Sequence, residues 1–395
     1  MLLLVFAPLA LALTTGTFTV DDDGPADFPG IVEALASPLV TPGSTLLVAA
    51  GSYGNFTLNK PLHILPQAGQ GFAAGHVHVT SVERFSLVGA QMKTLHVSDV
   101  PGPSLIDRCQ VMASDIGSST LGFYFYSEAE FEDCAGLVVQ RSAFRGTDGC
   151  YSDGPSIATE AIGVTRSTMT FVDCWIRGGN ATGMGCDGHY PVSGSGVILR
   201  DSSDVLFAGC QVGGGEGAPG ENMPALDVRD SCAIVRGTKR DSLHAALPAL
   251  AVAMDAGSKV SVSGVVVLPE RLPVRVVRPR PAEPFLRAVG GEGPGLQLRL
   301  DLFGPAGSLG VVAGSFGMQP RALAGVSETL WLDPSTLFLS TPMLLAGQNA
   351  AASLFMPMPA GPDVIGLGLV LQAWVDPALG AGPWLTNPVA LVLGG

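Results

Sequence analysis

Apolar positions in the first two thirds of the chain recur in short runs, not in long helical stripes. The recurring form is apolar-x-x-small-x-apolar, often with Gly two residues later. Ile106-Asp-Arg-Cys109-Gln-Val111 shows it without the Gly. Val139 to Gly146, Phe171 to Gly178 and Phe207 to Gly214 show it in full, centred on Ser142, Cys174 and Cys210. Successive centres are 33, 32 and 36 residues apart. Weaker copies run from Leu87 to Met92 around Ala90, from Ile234 to Gly237, and from Val260 to Val265 around Ser263. A repeat of this length marks stacked supersecondary units, each unable to bury its inner face alone.

Units of short strands stacked at the ~4.8 Å strand spacing close a continuous interior, with equivalent side chains in ladders along the axis. The first apolar residue and the small residue are three apart, an odd step that strict alternation would send to opposite faces. A bend between them is therefore expected, as a coiled path requires. A coil needs only about 20–25 residues, so the excess becomes loops at a corner. Two long insertions, Gly146 to Ser156 and Gly178 to Gly196, follow equivalent positions in successive coils and should project from one edge. A third, Gly213 to Asn222, is Gly-rich.

At the start of the coils, Phe28, Ile31, Val32 and Leu35 form one apolar stripe that predicts a short helix, with Asp27 as its cap. The coils end near Val267. Pro269 to Arg287 is rich in Pro and Arg and reads as an extended linker. Alternating runs from Leu296 to Leu393 predict a small antiparallel β-sandwich. The expected fold is thus all-β: a right-handed parallel β-helix with a short N-terminal capping helix, then the sandwich. The expected organisation is a signal peptide over 1–16, the β-helix over 17–268, the linker over 269–289 and the sandwich over 290–395.

Composition narrows the partners. Of 395 residues, 47% are hydrophobic and only 14% charged, so a large core can be buried. The net charge of −13, with no basic patch, argues against nucleic acid. Met1 to Leu13 is almost wholly apolar and Ala10-Leu11-Ala12 is a small-x-small cleavage pattern, so export to the cell surface or medium is expected. That run is too short to span a bilayer, and no membrane span is expected elsewhere. Export permits disulfides, and the seven cysteines contain no CxxC pair of a structural zinc site.

The segment Ala26-Asp27-Phe28, Ile31 to Ala34 and Gly43 to Tyr53 resembles the opening of right-handed β-helix proteins of the pectate-lyase-like superfamily, over about residues 20–268. The tail, through Gln372 to Pro377 and Thr386 to Leu391, resembles a C-terminal module of secreted bacterial proteins. The superfamily holds lyases, hydrolases, epimerases and non-catalytic proteins, so the likeness implies the fold and leaves the activity open. Its catalytic motifs do not carry over. Trp175-Ile176 is followed by Arg177-Gly178 in place of the lyase Asp-His, and Arg271-Leu-Pro273-Val-Arg275 falls one residue short of the lyase arginine motif. Gly188-His189-Tyr190 keeps two residues of the polygalacturonase Gly-His-Gly.

Candidate chemistry gathers in the two insertions. Asp153, Asp187 and His189, with Arg177, are the expected catalytic set of a polysaccharide lyase or glycoside hydrolase. Tyr151, Tyr190 and Arg145 would bind the substrate, and calcium is the cation that Asp oxygens there suit. The bland alternative is that Asp, Gly and Tyr simply build turns. Cys150 and Cys186, one in each insertion, are expected to form a disulfide, while Cys109, Cys174 and Cys210 are expected to be reduced core residues. His76 and His78 share a strand face and His96 follows about a coil later. Three imidazoles are ligands for zinc or copper, but no carboxylate nearby in sequence completes a set, so a polar ladder is the expected role and no metal is assigned. Trp331, Trp374 and Trp384 offer either sugar-stacking or core packing. The absence of a complete catalytic motif favours a non-catalytic protein that binds or structures extracellular carbohydrate or cell-surface material; polysaccharide cleavage at the insertion edge is the alternative.

Overall fold

The structure is a computed structural model, and it describes residues 16–112, 127–150, 158–182, 193–217, 222–246, 249–270, 272–278, 283–289, 297–316, 318–322, 329–340, 342–346, 351–358, 368–376 and 384–392. Three parallel sheets wind along one axis, as the repeat predicts. In each turn the chain passes from the first sheet to the second and then the third, illustrated by Thr168–Val172, Trp175–Arg177 and Val197–Arg200. The long strand Ala129–Gln140 crosses a corner and so joins the third sheet to the first.

The repeat positions form the expected inward ladders. In the first sheet Leu87, Ile106, Val139, Phe171, Phe207, Val235 and Val262 stand in register. In the second, Met92, Val111, Phe144, Ile176, Val212, Leu243 and Val267 do so. Two of the weaker copies are thereby shifted: the last two coils use Val235 and Val262, not Ile234 and Val260. In the penultimate coil an insertion after Gly237 places Asp241 where the preceding coil has Cys210.

The bend demanded by the odd spacing is a single residue with left-handed backbone just before the small residue. Gly89, Arg108, Arg141, Asp173, Gly209 and Gly264 occupy it, with φ between 51 and 74° at Arg108, Asp173, Gly209 and Gly264. Glycine reaches this region without strain, whereas the Arg and Asp residues do so at a cost that stacking must offset. A second corner, between the third and first sheets, repeats the device at Asp133, Arg166, Ser202 and Asp230. There the following side chains form a hydroxyl ladder. The backbone N–H of Cys134 donates to Ser167 Oγ at 3.0 Å, Ser167 to Ser203 at 3.3 Å, Ser203 to Ser231 at 3.2 Å and Ser231 to Ser258 at 3.3 Å.

The interior is filled by aromatic contacts across coils. Phe171 stacks on Phe207 with centroids 5.1 Å apart and meets Phe131 and Phe144 edge-on. Cys109, Cys134, Cys174 and Cys210 are buried free thiols, and burial pushes Cys109 up to about 12. The helix Ile31–Ala36 covers the open end, but Asp27 does not cap it. The N-cap is Gly30, and the Asp27 carboxylate instead accepts the Thr19 N–H and hydroxyl at 2.7 and 2.9 Å, tying the lead-in to the first strand.

The C-terminal part is an antiparallel sandwich with a separate core that includes Leu298, Leu300, Val312, Leu371 and Val375. Phe285–Val289, in the segment read as linker, pairs with Gln297–Phe303 as one of its strands. The sandwich packs on the outer face of the first sheet. Leu65, Val88, Leu105 and Val138 meet Trp331, Leu332, Val370 and Ala390. Trp331 is thus core, as packing predicts. Polar contacts flank this seam. The buried Gln140 amide donates to Ala390 O and accepts its N–H at 3.2 Å, imitating a strand. Arg236, 2% exposed, pairs with Glu283 at 2.6 Å, and Arg287 bridges Asp173 at 2.5 Å and Asp241 at 3.0 Å.

Two outcomes follow from this packing. Phe171→Ala should lower unfolding free energy by about 3–5 kcal/mol, the cost of a buried phenyl and its cavity. Ser167→Ala should cost less, about 1–3 kcal/mol, because it strips the acceptor from one buried N–H; urea titration ranks the two. Burial pushes Asp173 up to about 6 although Arg287 pulls it down. A carboxyl raised in the folded state binds protons more readily there than when unfolded, so its contribution falls as pH rises from about 4 to 6. The stability difference between wild type and Asp173→Asn should therefore shift against wild type across that window and stay level above it.

Candidate functional site

With the first sheet covered by the sandwich, the insertion edge between the second and third sheets is where the expected site residues can be examined. Both insertions begin in register: Gly149–Cys150 pairs in parallel with Ala181–Thr182, and Arg145 stands opposite Arg177. The expected common edge is therefore present.

At its base the side chains form a continuous polar chain. Arg145 Nη2 donates to Asp148 Oδ2 at 2.6 Å, and Asp148 Oδ1 accepts the Asn180 N–H at 2.8 Å. Asn180 Oδ1 accepts the Glu216 N–H at 2.9 Å, and Glu216 Oε1 takes Arg177 Nη2 at 2.9 Å. Each arginine thus has a carboxylate partner on the same edge. Asp153, Asp187, His189, Tyr151, Tyr190 and Cys186 lie outside the described residues, as does the side chain of Cys150. The expected catalytic set, its tyrosines and the Cys150–Cys186 bridge therefore fall there too.

Behind this chain, the buried Glu128 carboxylate accepts the Thr147 and Thr159 hydroxyls. Glu160 is also buried, and desolvation raises it above the usual carboxylate range, with Asp227 adding to the rise and Arg200 and Arg229 opposing it.

The outer face of the second sheet adds a residue that the repeat pattern passed over. Trp175 is 39% exposed, large for an indole, and stands between Ala143 and Gln211 in the adjacent coils. Gln110, beyond Ala143, and Gln211 are exposed in the same row, and Arg145 and Arg177 form the next row toward the insertions. The small Ala143 leaves one side of the indole open. An accessible aromatic face flanked by amides and cations on a rigid sheet is suited to a pyranose ring, whose apolar face stacks while its hydroxyls hydrogen-bond. The signal in the sequence was a Trp at an outward position of the repeat.

The sandwich offers a different surface. A groove of about 450 Å³ there is lined by Val311, Leu330, Leu337, Leu339, Trp374 and Leu385. It is almost wholly apolar, and the amide of Gln372 in its wall is buried and engaged with Trp331 N–H and Thr386 O, so it offers little of the hydrogen bonding that a sugar requires.

Compared with known proteins, the chain matches no family model, no curated protein and no solved structure. What the structure supports of the expected resemblance is parallel β-helix architecture, and no comparison supports the pectate-lyase-like superfamily.

The exposed Arg177–Glu216 pair contributes little to folding. Arg177→Ala should leave the thermal midpoint within about 2 °C of wild type, consistent with a surface change of roughly 0.5 kcal/mol or less; calorimetry checks this.

Proposed function

We propose that the protein is an exported, non-catalytic β-helix that binds a polysaccharide across the outer face of its second sheet, beside the insertion edge. The observation that carries this reading is Trp175, exposed on a rigid strand in one row with Gln110 and Gln211 and beside the row of Arg145 and Arg177. Coils spaced about 4.8 Å apart present equivalent side chains at intervals close to the length of one sugar unit. The ladder of coils therefore suits a ligand that is itself a repeat. The chain's acidity, −13 overall, favours a neutral polysaccharide, with Arg145 and Arg177 the local exceptions. Export rests on the apolar Met1 to Leu13 run. Calcium enters only as an ion that insertion-loop aspartates would hold, and no step depends on it.

A second reading, polysaccharide cleavage at the same edge, is favoured by Glu160. A buried carboxyl held above its usual range is the form a general acid takes. Incubation with a polysaccharide panel separates the two readings. New reducing ends or ultraviolet-absorbing unsaturated products would establish cleavage.

Affinity electrophoresis through gels containing each neutral polysaccharide should retard the wild-type chain in at least one. Trp175→Ala should weaken that retardation about tenfold, the loss of roughly 1.4 kcal/mol of aromatic contact. Unaltered migration of wild type in every gel, or retardation indifferent to Trp175→Ala, would remove this face from consideration.

A further inference from the structure

We propose that the sandwich binds the acyl chain of an uncharged or zwitterionic single-chain lipid, in the groove beside its seam with the β-helix. The site is separate from the Trp175 face and does not depend on polysaccharide binding.

The groove follows from strand alternation. Leu309–Ser315 and Gly368–Asp376 pair antiparallel, with Val311 opposite Trp374 and Ala313 opposite Gln372. Val312, Ala373 and Val375 point into the sandwich core, so Val311, Ala313, Gln372 and Trp374 lie on the other face. At Val370 and Ala390 that face is covered by the β-helix. The strand Thr329–Leu332 is tied to it by the Trp331 N–H, which donates to Gln372 Oε1 at 3.0 Å. Alongside lies the groove of about 450 Å³. Ala313, Leu330 and Leu332 belong to both seam and groove, so the groove is the uncovered continuation of an apolar interface.

Its rim is fixed in place. Val312 N–H donates to Ser340 Oγ at 3.0 Å, Phe316 N–H to Thr336 Oγ1 at 3.1 Å and Asp333 N–H to Ser315 Oγ at 3.1 Å. These bonds hold the segment from Asp333 to Ser340 on the sheet at three points. They leave Leu337 and Leu339 lining the groove while 47% and 58% exposed, with Trp374 38% exposed across from them. Large apolar side chains kept in water around a preformed hollow are the signature of a binding site.

The lining selects the occupant. Its polar member, Gln372, has its amide engaged with Trp331 N–H and Thr386 O. A peptide would bring N–H and C=O groups against side chains that cannot pair with them, a cost that an acyl chain does not incur. The size also fits. A cavity of about 150 Å³ takes one benzene, so a groove three times larger holds on the order of 12–18 carbons. Among the described residues no cation lines the groove, and the strand face that carries Trp374 ends at the exposed carboxylate Asp376. Arg236 donates to Leu385 O at 3.3 Å, but it is buried and matched by Glu283. An anionic head therefore finds no partner here.

The test titrates the full chain with lysophosphatidylcholines of increasing chain length, each below its critical micelle concentration, by calorimetry and tryptophan fluorescence. One lipid per chain should bind. Affinity should rise about three- to fourfold per added methylene and level off once the groove is full, at about 12–18 carbons. Emission should move to shorter wavelength on binding, and less so in Trp374→Phe. Myristate, whose head is a carboxylate, should bind more weakly than the lysophosphatidylcholine of equal chain length. Leu337→Glu and Leu339→Glu should each weaken binding at least tenfold with an unchanged circular dichroism spectrum. If a substituted chain fails to fold, the wild-type chain-length series still decides. Four results would overturn the proposal: no saturable binding; affinity that climbs without levelling, as in partition into a micelle or bilayer; tighter binding of myristate; or a stable dimer of the chain that Leu339→Glu dissociates.

Discussion

The structure depends on coils stacking in parallel and in register. No coil buries its inner face or satisfies its backbone by itself; each strand donates to and accepts from the strands on both sides, as Trp175 N–H does to Ser142 O and Gly178 N–H to Gly213 O. The left-handed residue before each corner is what permits this. Without it, the odd spacing between Phe171 and Cys174 would turn one of them outward. At Arg141, Asp173, Arg166 and Asp133 the conformation is strained for the residue present. At the second corner stacking overdetermines it: the hydroxyl ladder through Ser167, Ser203 and Ser231 gives the N–H after each left-handed residue a defined acceptor.

From that register the three outer faces take different roles. The first is apolar at Leu65, Leu105 and Val138 and is closed by the sandwich. The arginines at this join, buried Arg236 and half-buried Arg287, are matched by Glu283, Asp173 and Asp241, as charges withdrawn from water require. Breaking such matching strands a charge, so the sandwich is bound to one position on the helix. The second face keeps Trp175 accessible among amides and guanidinium groups. The third keeps an imidazole row ending on Glu130. Both remaining faces display side chains at the coil spacing on a rigid backbone, the arrangement in which a repetitive ligand finds preplaced partners.

Much of this architecture was legible from one repeat. Cys109, Ser142, Cys174 and Cys210 could be found because small side chains recur at that tight corner in four coils and apolar residues flank them at constant offsets, whereas the coil that carries Asp241 there departs from the pattern. The second corner escaped notice. Its ladder of Cys134, Ser167, Ser203 and Ser231 has changing neighbours and no constant glycine. The shifts at Val235 and Val262 arose because runs of Val, Ile and Ser offer two registers that only pairing resolves. The docked sandwich was invisible for a different reason: the Gln140–Ala390 contact joins residues 250 apart, beyond any local pattern. Trp175 likewise acquires meaning only through the coils beside it. The residues expected to carry chemistry in the insertions, Asp153, Asp187 and His189, lie outside the described residues, so the polar chain from Arg145 to Glu216 is what the structure adds at that edge.

The claim on which the rest stands is the register of the coils, and paired cysteines test it most directly. Trp175 and Gln211 face outward from adjacent coils, while Trp175 and Ser242 are separated by one more. Neighbouring strands lie about 4.8 Å apart, within the Cα separation a disulfide accepts, and twice that distance is beyond it. A chain carrying Trp175→Cys and Gln211→Cys should oxidise to an internal disulfide between those residues, identified by peptide mass spectrometry. A chain carrying Trp175→Cys and Ser242→Cys should leave that pair reduced. The reverse pattern, or bridging in neither chain, would contradict the stacking and every site built upon it.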